Sequence, residues 1–314
     1  MGERRRYHNF VFDSARWDGF ELRDDDIIVS TPAKCGTTWM QMMCALLVLR
    51  TPELPEPLAV LSPWLDMNTR PIAEVRADLD RQEHRRIIKT HTPLDGLPRV
   101  SGVTYVHVAR DPRDVAQSWD NHAINANLER LVGTRVASVG TDDFEELGIT
   151  GLPPAPSEDP VERFWDWIES DVDTRTGACM AQLVEHVTTF WQARESPGVA
   201  LFHYRDLRAD LAGEMARLAS VLGVDPPTDE LVEAATFESM KGRADQLVPN
   251  ADIALWHDNS RFFDRARAGD WRELFGDDGE QRYERRINAL ASPDLVAWLH
   301  EGWLGIGDAR ASST

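Results

Sequence analysis

Cysteine is scarce in this chain, three in 314 residues, and Cys35, Cys44 and Cys179 show no C-x-x-C spacing. That count argues against a disulfide framework or a zinc site and fits a reducing compartment. Long apolar runs are also missing. The longest apolar-rich stretch, residues 39–49, is too short to span a bilayer and contains Gln41. Arg4, Arg5 and Arg6 are not followed by the apolar h-region of a secretory signal. Positive charge is in deficit: 34 Lys and Arg against 53 Asp and Glu leave a net charge of −19. Such a charge repels a phosphate backbone, so neither DNA nor RNA is an expected partner; a local basic site for a small anion remains open. No Ser/Gly tract, low-complexity run or fixed-period repeat interrupts the chain. The expectation is one domain over residues 1–314, cytoplasmic and without integral membrane contact.

What is present is concentrated in Ile27-Ile28-Val29-Ser30-Thr31-Pro32-Ala33-Lys34-Cys35-Gly36-Thr37-Thr38-Trp39. An apolar strand enters a tight loop, and two threonines open a helix over residues 39–49. Unpaired backbone N–H groups and the positive end of the helix dipole converge on such a loop and make an anion site. In the usual nucleoside-triphosphate loop, lysine directly follows glycine, and Ser/Thr follows lysine to hold magnesium. Here Lys34 comes two residues before Gly36. The loop is expected to grip a phosphate or sulfate by another arrangement, and no metal is expected.

Four short apolar runs read as buried parallel strands: residues 27–30, 86–91, 103–109 and 199–204. Helical patterns follow at 112–122 and 207–222. Strands alternating with helices predict an α/β fold, a P-loop-like central parallel β-sheet with helices on both faces. Ligands of such sheets bind beyond the carboxyl ends of the strands. Lys34, Lys89, His91, Arg110 and Tyr204 all stand at those ends, so separate segments bring polar, mostly cationic groups to one edge.

Each segment carries a specific chemistry and a blander alternative. Asp111-Pro112 is a helix start, and Arg110 just before it, with Ser118 two turns in, could reach an anion. Arg110 could equally be tied to Asp111 or Asp114. Lys89 and His91, two apart on a strand, share one face; His91 is a candidate general base, although most of the nine histidines are expected to be surface or packing residues. Basic and aromatic residues from Arg261 to Trp271 suit a loop closing over a nucleotide, or a solvated turn. Cys35, where the loop meets the helix dipole, is expected to have a favoured thiolate open to oxidation.

Taken together, the segments resemble the cytosolic-type sulfotransferase family, which transfers a sulfuryl group from 3′-phosphoadenosine 5′-phosphosulfate (PAPS) and releases PAP. Lys34-Cys35-Gly36-Thr37-Thr38-Trp39 resembles its 5′-phosphosulfate loop, usually K-S-G-T-T-W. Arg110-Asp111-Pro112-Arg113-Asp114-Val115-Ala116-Gln117-Ser118 resembles its 3′-phosphate segment, and Lys89-Thr90-His91 the K-T-H that contains its base. His203-Tyr204-Arg205-Asp206-Leu207 matches a Y-x-D-L element. Ala235-Thr236-Phe237-Glu238-Ser239-Met240 resembles the adenine-contacting segment, and Phe262 to Trp271 the closing loop ending in G-D-W. Ser62-Pro63-Trp64-Leu65-Asp66 and residues 90–98 look most like an actinobacterial branch that includes a glycolipid sulfotransferase.

The resemblance implies the sulfotransferase fold and in-line attack of a hydroxyl or amine on the PAPS sulfur. His91 would take the acceptor proton, Lys34 would stabilise the leaving oxygen, and Lys89 would face the sulfuryl oxygens. Arg110 and Ser118 would hold the 3′-phosphate. Trp39, Tyr204, Thr236, Phe237 and Met240 would frame the nucleoside, with Phe263, Arg265 and Ala266 in the closing loop. The chain departs from the family in Cys35, which replaces serine, and in Asp264-Arg265-Ala266, which replaces R-K-G or R-R-G. No C-terminal dimerisation motif is found, which leaves the oligomeric state open.

The acceptor, a small molecule or glycolipid, is less legible. Residues 121–198 read as an acceptor-side or lid region, irregular to about Pro160, then helical near 161–168 and 177–194. Between Thr141 and Asp173 stand eleven acidic residues and one basic, Arg163; they suit a cationic acceptor or a solvated acidic surface. Trp64, Phe164, Trp165 and Trp167 could line an apolar cleft or belong to the core. Two other functions compete: a non-catalytic PAP- or PAPS-binding protein, favoured by Asp264 and Ala266, and an ATP-dependent P-loop kinase, disfavoured by the position of Lys34.

Overall fold

In a computed structural model of the chain, which describes residues 4–151, 156–171, 178–249, 253–263 and 269–307, four strands form one parallel sheet. They are β1 (Ile27–Ser30), β2 (Ile87–Thr90), β3 (Thr104–Ala109) and β4 (Val199–His203), in spatial order β2-β1-β3-β4. The register sets Val29 beside Lys89, Ser30 beside Thr90, and Ala109 beside His203. The strand ends are therefore adjacent in space as well as alike in sequence.

The strands are apolar throughout because both faces are covered. Alternate residues point to opposite sides, and each side has its own core. Ile27, Val29, Val106 and Phe202 join a core with Met43, Leu46 and Leu218, from α1 (Thr37–Leu49) and the Leu211–Leu222 helix. Ile28, Ile88, Tyr105 and Leu201 join another with Ile168, Val187 and Trp298, from the Pro160–Glu169, Met180–Gln192 and Pro293–Ile306 helices. The expected sheet with helices on both faces is the observed one.

Departures from the expected elements have local causes. The predicted 207–222 helix is two, Tyr204–Ala209 and Leu211–Leu222, because the Asp210 side chain accepts from Gly213 N–H and caps a new helix there. Tyr204 thus begins a helix instead of ending a strand. The segment read as irregular contains a helix, Leu128–Val139, capped by Asn127. Its one buried side chain is Arg135, paired with Asp143 and lying over Phe144 at 4.8 Å; Leu128, Leu131, Val132, Val136 and Val139 recur at helical spacing along it, a signal the sequence reading overlooked.

Several acidic residues of the 141–173 segment are charge-paired: Asp143 and Glu146 with His8, Glu146 also with Arg6, Glu169 with Arg282 and Asp171 with Arg286. Among the described residues, no helix is long and apolar enough to cross a membrane.

Candidate active site

Residues 31–36 turn the chain from β1 into α1. Lys34 and Gly36 both have positive φ, 65° and 109°. The first is strained for a lysine, and the second is a conformation that glycine alone adopts easily. Space enforces the same choice, since a Cβ on Gly36 would lie 3.1 Å from Tyr204 Cδ2. Gly36 caps α1 with no side-chain hydrogen bond, so the first turn keeps the anion-binding disposition of a bare helix N-terminus.

His91 follows the end of β2 and is held against this loop. Its Nδ1–H donates to the Thr31 carbonyl at 2.6 Å. A carbonyl can only accept, so the ring's lone pair lies on Nε2. Trp64 meets the imidazole edge-on, with ring centroids 4.5 Å apart, and Lys89 Nζ lies 4.1 Å from the Trp64 ring. Lys34 Nζ donates to His122 Nδ1 at 3.4 Å and lies 4.7 Å from the Phe262 ring.

Arg110 is buried, and its link to the neighbouring aspartates is one long ion pair, to Asp114. Asp111 is taken by Arg113, with a contact of 2.6 Å, whereas Arg110 Nε lies 4.0 Å from Asp114 and has no hydrogen-bond partner. Asp114 itself accepts from Gly269 N–H at 3.1 Å. The Arg110 guanidinium stacks over Tyr204 at 4.4 Å, and Tyr204 meets Trp39 edge-on at 5.4 Å. Of the two aspartates the sequence offered Arg110, Asp114 is the one within ion-pair reach, at 4.0 Å.

These cations depress one another. Burial pulls Lys34 down to about 8, and Arg110 adds repulsion. Burial pulls Lys89 down to about 7 against the attraction of Asp66, with Lys34 pushing further. His91 is pulled down to about 3 by burial first and then by Lys89 and Lys34, against the opposing bond to Thr31. His122 falls well below its ordinary value through burial and the same three neighbours, Lys34, Lys89 and His91. Buried cations repelling one another around a neutral imidazole are suited to a multiply charged anion.

The family profile described as a sulfotransferase domain matches residues 24–293. The chain belongs to the sulfotransferase domain family. It is 43% identical to glycolipid sulfotransferases of Mycobacterium bovis and Mycobacterium tuberculosis, over 99% of this chain and 98% of theirs. Among solved structures, retinol dehydratase in a complex with retinol and PAP is similar in fold. Its TM-score is 0.65 at 22% identity, covering 89% of this chain and 85% of that one.

The remaining expected site residues of this sulfotransferase fall into four groups. Cys35, Gly36, Thr37, Thr38 and Trp39 form the loop and the helix start, but Cys35 contradicts its expected reactivity. Its thiol is fully buried, and burial pushes it up to about 12, overriding Arg110 and the helix terminus. Met240 is buried in the same core as Trp39, while Phe237 is half-buried beside it. The Thr236 hydroxyl is spent on a cap, donating to the Glu233 carbonyl at 2.8 Å and accepting from Ser239 N–H at 3.3 Å. Ser118 is half-buried on the Pro112–Asn125 helix, one turn before His122. Arg265 and Ala266, and the side chain of Phe263, lie outside the described residues.

Sequence reasoning missed His122 and left Trp64 ambiguous. Phe164, Trp165 and Trp167 are core, at most 7% exposed, so of those four aromatics only Trp64 is placed beside His91 and Lys89. His122 had a signal: it stands four residues after Ser118 on one helix and therefore shares its face. It also packs 4.6 Å from Trp256 and 6.0 Å from Phe262, forming an aromatic wall beside Lys34.

Proposed function

We propose that this sulfotransferase transfers the sulfuryl group of PAPS to a sugar hydroxyl of a glycolipid, with His91 as the general base. The observation that carries the reading is the hydrogen bond from His91 Nδ1–H to Thr31, because it holds an unprotonated Nε2, free to accept a proton, against the loop that bears Lys34. PAPS is compatible with the residues present. Arg110 offers a buried, unpartnered Nε, the Lys34–Gly36 turn leads into a bare helix N-terminus, and Trp39 with Tyr204 offers an aromatic corner for a nucleoside.

PAPS supplies the sulfuryl group, which passes to the acceptor oxygen as the bond to the PAP phosphate breaks. His91 Nε2 takes the proton of the acceptor hydroxyl. Lys34 neutralises the charge left on the phosphate oxygen, and Lys89 binds the sulfuryl oxygens. Arg110 and Ser118 hold the 3′-phosphate, while Thr37 and Thr38 present the first N–H groups of α1 to the 5′ side. A sulfuryl group carries less negative charge than a phosphoryl group, so two lysines suit it. The work of the site is positioning and electrostatics.

The whole chain, residues 1–314, acts in this reading as one sulfotransferase domain, with residues 121–198 on the acceptor side. Its setting is the cytoplasm, in keeping with a cysteine content of three, all of them buried. A glycolipid acceptor is supported by the full-length similarity to glycolipid sulfotransferases. It is also supported by the rings of Trp64, His122, Trp256 and Phe262, since aromatic faces suit the C–H faces of sugars. Labelled sulfate from PAPS is expected to appear on the sugar of an extracted mycobacterial glycolipid, with much higher kcat/KM than on 4-nitrophenol or an alkylamine. Preference for the phenol or the amine would overturn the glycolipid assignment.

A further inference from the structure

We infer that Asp66 is a positioning residue for the transfer, a buried carboxylate that holds Lys89, His91 and Trp64 in one arrangement. The inference rests on the roles proposed above for Lys89 and His91. Asp66 is fully buried, and its two oxygens accept four hydrogen bonds. Oδ2 takes Thr90 Oγ1 at 2.6 Å, Thr92 Oγ1 at 2.7 Å and Trp17 Nε1 at 2.8 Å. Oδ1 takes Trp64 Nε1 at 2.6 Å. Thr90 and Thr92 flank His91 on either side, so one carboxylate anchors both neighbours of the base. Thr90 Oγ1 also accepts from Thr92 N–H at 2.9 Å, which fixes the backbone around His91.

The fourth bond reaches the same place from another segment. Residues 63–65 run beside the end of β2: Lys89 N–H donates to the Pro63 carbonyl at 2.9 Å, and Leu65 N–H to the Lys89 carbonyl at 3.3 Å. Trp64 therefore stands over Lys89, and the bond to Asp66 sets the angle of its indole. That ring is the one that meets His91 edge-on. Burial raises the Asp66 carboxyl above its usual range, the four donors oppose that rise, and losing the carboxylate would leave those donors without their acceptor. Its charge also supports the ammonium form of Lys89 against burial.

Asp66→Asn separates these contributions. An amide keeps one accepting oxygen, which serves the Oδ2 side with its three donors; its NH2 then faces the Trp64 N–H, donor against donor. The substitution should free Trp64 and remove the negative charge beside Lys89. We expect kcat to fall about 10²-fold, the size of effect a misplaced reacting group produces, with the Kd for PAP at pH 6 changed far less. The alkaline limb of kcat/KM should move to lower pH, because Lys89 loses its proton earlier once the carboxylate charge is gone.

The same assays on His91→Ala separate failure of this inference from failure of the base assignment. Parent-like kcat and pH profile in Asp66→Asn, with His91→Ala inactive, overturns the role of Asp66 alone. An active His91→Ala removes the base assignment on which it rests. If Asp66→Asn fails to fold, judged by near-UV circular dichroism, Thr90→Val and Thr92→Val decide. Thr92→Val removes one bond to the carboxylate, and Thr90→Val removes one to the carboxylate and the one from Thr92 N–H; each should lower kcat at least about tenfold at unchanged PAP affinity, and parent-like kcat in both overturns the inference. Where Asp66→Asn folds, adding Thr90→Val to it should cost less than Thr90→Val costs alone, as expected for groups acting as one unit.

Discussion

His91→Ala should bind PAP as the parent does and turn over roughly 10²–10⁴ times more slowly, the usual worth of a positioned general base. The two measurements divide because of what the imidazole touches. Its Nδ1 is committed to the Thr31 carbonyl, leaving Nε2 for the acceptor proton. Substituting alanine removes the proton acceptor and leaves the lysines and Arg110 in place. Calorimetry with PAP and labelled-sulfate transfer, run on one preparation, give the two numbers. Near-parent turnover would remove His91 from the role of base. A loss of PAP binding equal to the loss of turnover would make its role structural.

Arg110→Ala should raise the Kd for PAP roughly 30-fold to 10³-fold, the cost of truncating one partner of a buried charge pair. The effect should vanish for a nucleotide without the 3′-phosphate, such as adenosine 5′-phosphosulfate. The parent should prefer PAP strongly over that analogue, and the variant should nearly lose the preference. Arg110→Lys is not expected to restore it, because an ammonium is a point charge without the planar fork that the Tyr204 ring supports at 4.4 Å. Equal loss of affinity for both nucleotides would mean that Arg110 acts by holding Tyr204 and the Lys34 carbonyl, its 3.3 Å contact. Its assignment to the 3′-phosphate would then fall.

The strands were readable because both faces of this sheet are covered. Continuous apolar runs such as Ile27-Ile28-Val29 and Val106 to Ala109 follow directly from that, and turn residues mark their ends. The rim was readable because each strand ends in a polar residue of a distinctive kind. What escaped depends on packing between distant segments. Asp66 matters through Thr90, Thr92, Trp17 and Trp64, and no local pattern ties it to Thr90 and Thr92, twenty-four and twenty-six residues on. The Leu128–Val139 helix was overlooked although Leu128, Leu131, Val132, Val136 and Val139 recur at helical spacing; the side chain it buries is Arg135, in the middle of that stripe. The reading of Cys35 failed for a related reason. Local geometry put the thiol at a helix N-terminus, but tertiary packing removed it from water, and desolvation was the larger effect.

The account depends most on the claim that Lys34, Lys89 and Arg110, brought from three strand ends, are buried together to receive a doubly charged nucleotide. Burial first, and then repulsion from Arg110 on Lys34 and from Lys34 on Lys89, pulls Lys34 down to about 8 and Lys89 down to about 7 against the attraction of Asp66, so at pH 8 both are partly deprotonated. An anion placed between them raises both values, and the protein must take up protons as it binds. Titrating PAP at pH 8 in two buffers of different ionisation enthalpy, with chelator present, measures that uptake directly. The account predicts tight, metal-independent binding with net proton uptake that shrinks as the pH is lowered to 6. Proton release, or binding without any proton exchange, would contradict it.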